Sequence, residues 1–165
     1  MGVTTLGPEI VAILRFADPS DPVPAILEDL SLSIERGYVT GAPDVSSSTA
    51  VRVGDLRRIG AKKLSAWGLS DLVDDAELLI SELVTNGLRH GTGPEVAFRL
   101  VIGTEFLVLE VRDGSSQLPQ VRTAGCDDEN GRGMFLVDAL ATSWGVSADG
   151  TATWCVLTRP TGTNR

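Results

Sequence analysis

The clearest periodic signal in the chain runs from Asp75 to Gly93, DAELLISELVTNGLRHGTG. Ala76, Leu79, Ile80, Leu83, Val84 and Gly87 recur at helical spacing and predict a helix with one buried stripe. Beside that stripe Glu82, Asn86 and His90 follow four residues apart, so the helix stacks them in one row. Such a row is either the solvated edge of an amphipathic helix or one wall of a site. Gly91 and Gly93 end the helix.

The next apolar runs are EVAFRLVI (95–102) and FLVLEVR (106–112), with Gly103-Thr104-Glu105 between them. Both are short and rich in Val, Leu and Phe, which predicts two antiparallel strands in a hairpin. In the second, Leu107, Leu109 and Val111 share one face while Glu110 and Arg112 share the other. Asp113 falls on the Val111 face, so a core-facing row ends in a carboxylate followed by Gly114. A carboxylate at the edge of a core needs a donor. An Asp-Gly turn amide would serve, and so would the amino group of a ligand.

Residues 115–130 show little apolar periodicity and hold Pro119, Gly125 and the acidic run Asp127-Asp128-Glu129. That length is unusual for a plain connection and points to a lid or binding loop. The stretch ends in Gly131-Arg132-Gly133, directly before a helical pattern at Met134, Val137, Leu140, Ala141 and Trp144. Glycines at a helix start admit a close ligand, and the free N–H groups there favour phosphate oxygens. A Gly-x-Gly pair alone is equally a flexible lead-in to a helix. TATWCVL (151–157) reads as a last strand after the turn Ala148-Asp149-Gly150.

Upstream, residues 50–67 predict a helix that buries Val53, Leu56, Gly60, Leu64 and Trp67. Its opposite side carries Arg57, Arg58, Lys62 and Lys63, a solvated face or a docking patch for an acidic partner. Ile26, Leu27, Leu30 and Ile34 give 25–36 helical spacing, and IVAILRF (10–16) suits a strand or a helix turn. DPSDPVP (18–24) is a break and 41–48 a linker. The expected division is therefore an extension and linker over 1–48, one domain over 49–159, and a tail over 160–165.

Composition narrows the classes. With 165 residues and 42% hydrophobic content the chain is able to bury a proper core. A net charge of −8 argues against binding a nucleic-acid backbone, which needs basic patches. No apolar run approaches the roughly 20 residues that span a bilayer. Met1–Thr5 show no basic segment leading into an apolar one, so no secretory signal is expected. Cys126 and Cys155 form no C-x-x-C pair and have no His partner, which fits two unrelated thiols of a cytoplasmic protein and no cysteine-bound metal.

Four blocks in order, SELVTNGLRHG (81–91), VRDGS (111–115), GRGMFLVDAL (131–140) and GTATW (150–154), carry a family resemblance. Over about residues 50–158 the chain resembles the GHKL, or Bergerat-type, ATP-binding fold of gyrases and sensor histidine kinases. Within it the chain is most similar to the small anti-sigma-factor serine kinases of bacteria and their actinobacterial relatives. The resemblance implies a two-layer α/β sandwich: a mixed, mostly antiparallel sheet with helices on one face, and ATP between the helices and the lid. It makes Glu82 the general base and Asn86 the Mg²⁺ ligand. Asp113 would accept the adenine 6-amino group, with Gly114 letting the base lie against the backbone. Gly131 and Gly133 would cradle phosphates, and Arg132 would pair a phosphate or lie on the lid surface. His90 would lie near the phosphates or cap its helix. Thr151, or Thr153 on the same strand face, would lie near the adenine.

The function so implied is phosphorylation of an anti-sigma-antagonist protein, with a sigma factor as a second partner and a homodimer as the assembly. The alternative is a module that uses ATP as a switch without transfer. A histidine kinase's catalytic half is disfavoured, because His90 is the single histidine and no separate phosphoacceptor is present.

Overall fold

A computed structural model of the chain describes residues 6–15, 20, 22–35, 45–115 and 129–159. The elements run α1 (Pro8–Leu14), β1 (Ile26–Glu35), α2 (Val45–Ala66), α3 (Val73–His90), β2 (Glu95–Gly103), β3 (Phe106–Arg112), α4 (Glu129–Leu140), β4 (Ser143–Val146) and β5 (Ala152–Thr158). The five strands form one open sheet in the order β1-β2-β3-β5-β4. This is the α/β sandwich that the blocks implied, with two corrections. All four strand pairs are antiparallel, so the described sheet is not mixed. Helices also lie on both faces: α2, α3 and α4 cover one, and the short α1 covers part of the other.

Strand alternation explains the two cores. Val96, Phe98, Leu100 and Ile102 of β2 face α2 and α3 together with Leu107, Leu109 and Val111 of β3 and Cys155 and Leu157 of β5. The intervening Val101, Phe106, Val108, Trp154 and Val156 face Leu6, Ile10 and Leu14 at α1. Cys155 is buried, and burial pushes its thiol up to about 12, so it is an inert core residue. Cys126 and residues 116–128 of the expected lid lie outside the described residues.

The segment read as a helix over 25–36 is strand β1. Leu30, Leu32 and Ile34 face the helix-side core, while Asp29, Ser31, Ser33 and Glu35 alternate with them. Pairing with β2 runs from Ile26↔Gly103 to Glu35↔Glu95, so this part of the expected extension edges the same sheet as the site. A helical pattern and an alternating pattern share Leu30 and Ile34; the open edge of β2 favours the second. Part of the expected linker, residues 45–48, is the start of α2, and residues 41–44 lie outside the described residues.

α2 buries Val53, Leu56, Gly60 and Leu64 as expected. Trp67 does not join them: it lies past the helix end, 43% exposed, and its indole N–H donates to Glu28 Oε2 at 2.6 Å. Lys63 pairs with the same carboxylate, whereas Arg57, Arg58 and Lys62 are exposed. At the other end, α4 stops at Leu140, and Trp144 sits in the unforeseen strand β4, its Nε1–H donating to Asp138 Oδ1 at 2.9 Å. Among the described residues no helix is long and apolar enough to cross a membrane.

Candidate functional site

α3 organises the site. Asp74 and Asp75 in its first turn and Arg89 and His90 in its last suit the helix dipole, and the Gly91 amide closes the end on Gly87 O. All six stripe residues, Ala76, Leu79, Ile80, Leu83, Val84 and Gly87, are buried. Glu82 and Asn86 lie half-buried along the stripe's edge, and His90 is exposed at the helix end. The row is therefore partly covered rather than fully solvated.

What covers it is α4. A Cβ built at Gly133 would lie 2.5 Å from Glu82 Oε2 and 3.6 Å from Asn86 Nδ2. Glycine at 133 is thus what lets the helix pass so near the carboxylate. The three residues form one cluster, although the sequence separates them by about fifty positions. The predicted glycine turn takes a different form here: Gly131, Arg132 and Gly133 are wound into the first turns of α4, which begins at Glu129. A helix start is still present, displaced by a few residues, because nothing in ENGRG forbids helical backbone.

Burial also perturbs the Glu82 carboxyl. Burial raises its pKa above the ordinary carboxylate value, and the positive charge of Arg89 opposes this. The sequence reading passed over Arg89, yet it falls two helical turns from Glu82 on the same side of α3, a spacing that would have found it. A carboxyl whose folded-state pKa is raised lends stability below its unfolded value and loses it as pH rises through the folded one. Glu82→Gln has no such proton to lose. It is expected to melt about 1–3 °C above wild type at neutral pH, with the gain vanishing toward about pH 4, in thermal scans across that range.

The second half of the site lies where α3 meets the end of β3. A Cβ at Gly87 would approach Val111 Cγ1 to 3.0 Å and Asp113 Cβ to 3.5 Å, so the helix rests directly on the strand end that carries the carboxylate. Glu82 and Gly87 are separated by about 7.5 Å of helix rise. Asp113 Oδ1 accepts the Ser115 amide at 2.8 Å across Gly114, whose φ is 73°. One oxygen of Asp113 thus caps the Asp-Gly turn, and that turn does not use the other. The Asp113 carbonyl accepts the amides of Thr92 and Gly93, and the Thr92 hydroxyl donates to Gly114 O at 2.9 Å. Thr92 carried no signal in the sequence; only the fold brings it to this turn.

Thr151 meets the same strand end, its carbonyl accepting the Asp113 amide at 3.2 Å. Its hydroxyl is held by Asp149 and Arg112. Thr153 lies opposite Val111, on the strand face that Cys155 and Leu157 turn to the helices. α3 thus carries a carboxylate and an amide beside Gly133 in the second turn of α4, and a second carboxylate lies near the C-terminal end of α3. That arrangement suits a ligand with a phosphate end and a base end.

A family model described as a histidine kinase-like ATPase domain matches residues 46–158, well over half of the chain. No curated protein matches the sequence. The chain therefore belongs to the histidine kinase-like ATPase family and carries its ATP-binding domain over residues 46–158.

Proposed function

We propose that the chain is an Mg²⁺·ATP-dependent serine/threonine protein kinase of the anti-sigma-factor type, regulating transcription by phosphorylating an antagonist protein. The observation that carries this reading is the Glu82–Asn86–Gly133 cluster: a half-buried carboxyl one turn from an amide, facing α4 at a position that has no Cβ. Glu82 would accept the proton of a serine hydroxyl as its oxygen attacks the γ-phosphate. The raised pKa makes it a stronger base than a solvated glutamate.

The donor set suits a hard cation. Asn86 offers an amide oxygen, and Gly133 leaves room beside the amide group, whose nitrogen lies toward it. Among the described residues no three His, Cys, Asp or Glu side chains come together as a metal cage. The phosphates themselves would complete the coordination, as is usual for Mg²⁺. Bound there, Mg²⁺ would neutralise charge on the transferring phosphoryl group. Asn86 would orient it, and Asp113 would hold the adenine 6-amino group. The start of α4, with Gly131, Arg132 and Gly133, would face the phosphates, and Thr151 would flank the base. His90, exposed at the end of α3, would lie toward the phosphates or serve its helix as a cationic cap. The partners on this reading are an anti-sigma-antagonist domain and a sigma factor, with a second copy of the chain in a cytoplasmic homodimer.

Labelled ATP, Mg²⁺ and candidate antagonist domains test the proposal. Label on a partner serine is the expected result. Unlabelled partners whose affinity nonetheless changes with ATP would establish the switch module instead.

Gly133→Ala offers a separate check. Alanine favours helix over glycine by about 1 kcal/mol, and the atom it crowds is the mobile end of Glu82. The variant is expected to melt at or above the wild-type temperature while transferring phosphate about tenfold more slowly, since a displaced base loses alignment. Calorimetry and a transfer assay on one preparation read both.

A further inference from the structure

The adenine end of the site is braced from the far side of the sheet. Arg112, next to Asp113, turns to the face opposite the helices. Its Nη1 donates to Asp149 Oδ2 at 3.2 Å and to the Thr151 hydroxyl. Asp149 Oδ1 in turn accepts the Thr151 amide at 3.1 Å, the Thr151 hydroxyl at 2.8 Å and the Ser147 hydroxyl at 2.6 Å. Ser147 Oγ then accepts the Ala152 amide at 3.0 Å. On the other flank Glu110 lies 3.7 Å from Arg112 Nη2 and keeps the guanidinium over the turn. These bonds close a ring through the β4–β5 turn, and its last member, the Thr151 carbonyl, accepts the Asp113 amide.

The ring is costly to explain by stability alone. Arg112 and Asp149 are exposed, and exposed ion pairs contribute little to folding. Yet Arg112, Asp149 and the Asp113 amide all bond to Thr151, beside the base end of the site. We propose that Arg112 and Asp149 are positioning residues for adenine recognition: by fixing the Thr151 peptide they fix the strand end from which Asp113 reads the base. This rests on the reading of Asp113 as the adenine acceptor. Binding in which the ligand meets an already ordered acceptor avoids the cost of ordering it, so loosening the ring should weaken affinity with little change in fold.

The test is ATP affinity by titration calorimetry, with Mg²⁺, on the full chain, alongside the nucleotide-free melting temperature. Asp149→Ala and Arg112→Ala are each expected to weaken ATP binding about five- to tenfold while the nucleotide-free melting temperature moves by no more than about 2 °C. The double variant should be no worse than either single one, because both open the same ring. Asp149→Asn keeps an oxygen for the Thr151 amide and should recover part of the loss. Wild-type affinity in Asp149→Ala, losses that add in the double variant, or losses that merely track a falling melting temperature would each overturn the proposal. If wild type itself binds no ATP, the reading of Asp113 fails first and this inference with it; if wild type binds and Asp149→Ala binds equally well, only the inference falls.

Discussion

Glu82→Gln is expected to bind Mg²⁺·ATP about as tightly as wild type and to transfer phosphate at least about 10²-fold more slowly, the usual worth of a positioned general base. The substitution keeps the shape beside Gly133 and removes only the ability to take a proton. Asn86→Ala, one turn along α3, should fail differently. It removes the oxygen offered to the metal, so Mg²⁺-dependent nucleotide binding and transfer should fall together. Calorimetric affinities paired with single-turnover transfer separate the two. Transfer by Glu82→Gln at the wild-type rate would reduce Glu82 to a polar residue at a helix edge.

Asp113 is expected to carry the largest effect on binding. A ligand that binds only the native state stabilises it by mass action, about 2.7 kcal/mol at one hundred times the dissociation constant. For a domain of this size that is a rise of roughly 5–10 °C in melting temperature. GTP should produce far less, because its base presents an oxygen where adenine presents an amino group. Asp113→Ala should weaken ATP binding about 10–100-fold, the range for losing a hydrogen bond to a charged acceptor. Asp113→Asn is the sharper variant. It retains an oxygen for the Ser115 amide, so the turn survives, but it can present a donor to the base. ATP affinity should fall and discrimination against GTP should narrow. An ATP-induced shift that survives both substitutions contradicts the adenine role.

The parts of the fold legible in the sequence were those where one period stands alone. The stripe of α3 reads at 3.6 with no competing pattern, and all of it is buried. The β2–β3 hairpin was equally plain, and its alternation put Asp113 on the helix side, against Gly87. Where two periods overlap, the reading went wrong. ILEDLSLSIE satisfies helical spacing at Ile26, Leu30 and Ile34, and alternation at Leu30, Leu32 and Ile34. Only a sheet edge waiting at β2 decides between them, and that is not a local property. Trp144 follows Leu140 by four residues and so extended the helical pattern across a strand of four residues. In the site, α3 announced its own row, but nothing local showed that Gly133 would close on Glu82. The brace at Thr151 was invisible for a similar reason: Asp149 and Thr151 meet locally across their turn, but Arg112 of β3 reaches them only through strand register.

On the proposed function, one site running from Asp113 to the Glu82–Asn86–Gly133 cluster holds Mg²⁺·ATP. Titration calorimetry of wild-type chain with ATP, with and without Mg²⁺, tests it most directly. One nucleotide per chain is expected, with tighter binding in Mg²⁺ than without, and loss of that metal-dependent gain in Asn86→Ala. Absence of ATP binding at millimolar nucleotide, or binding indifferent to Mg²⁺ and to Asn86, would contradict it.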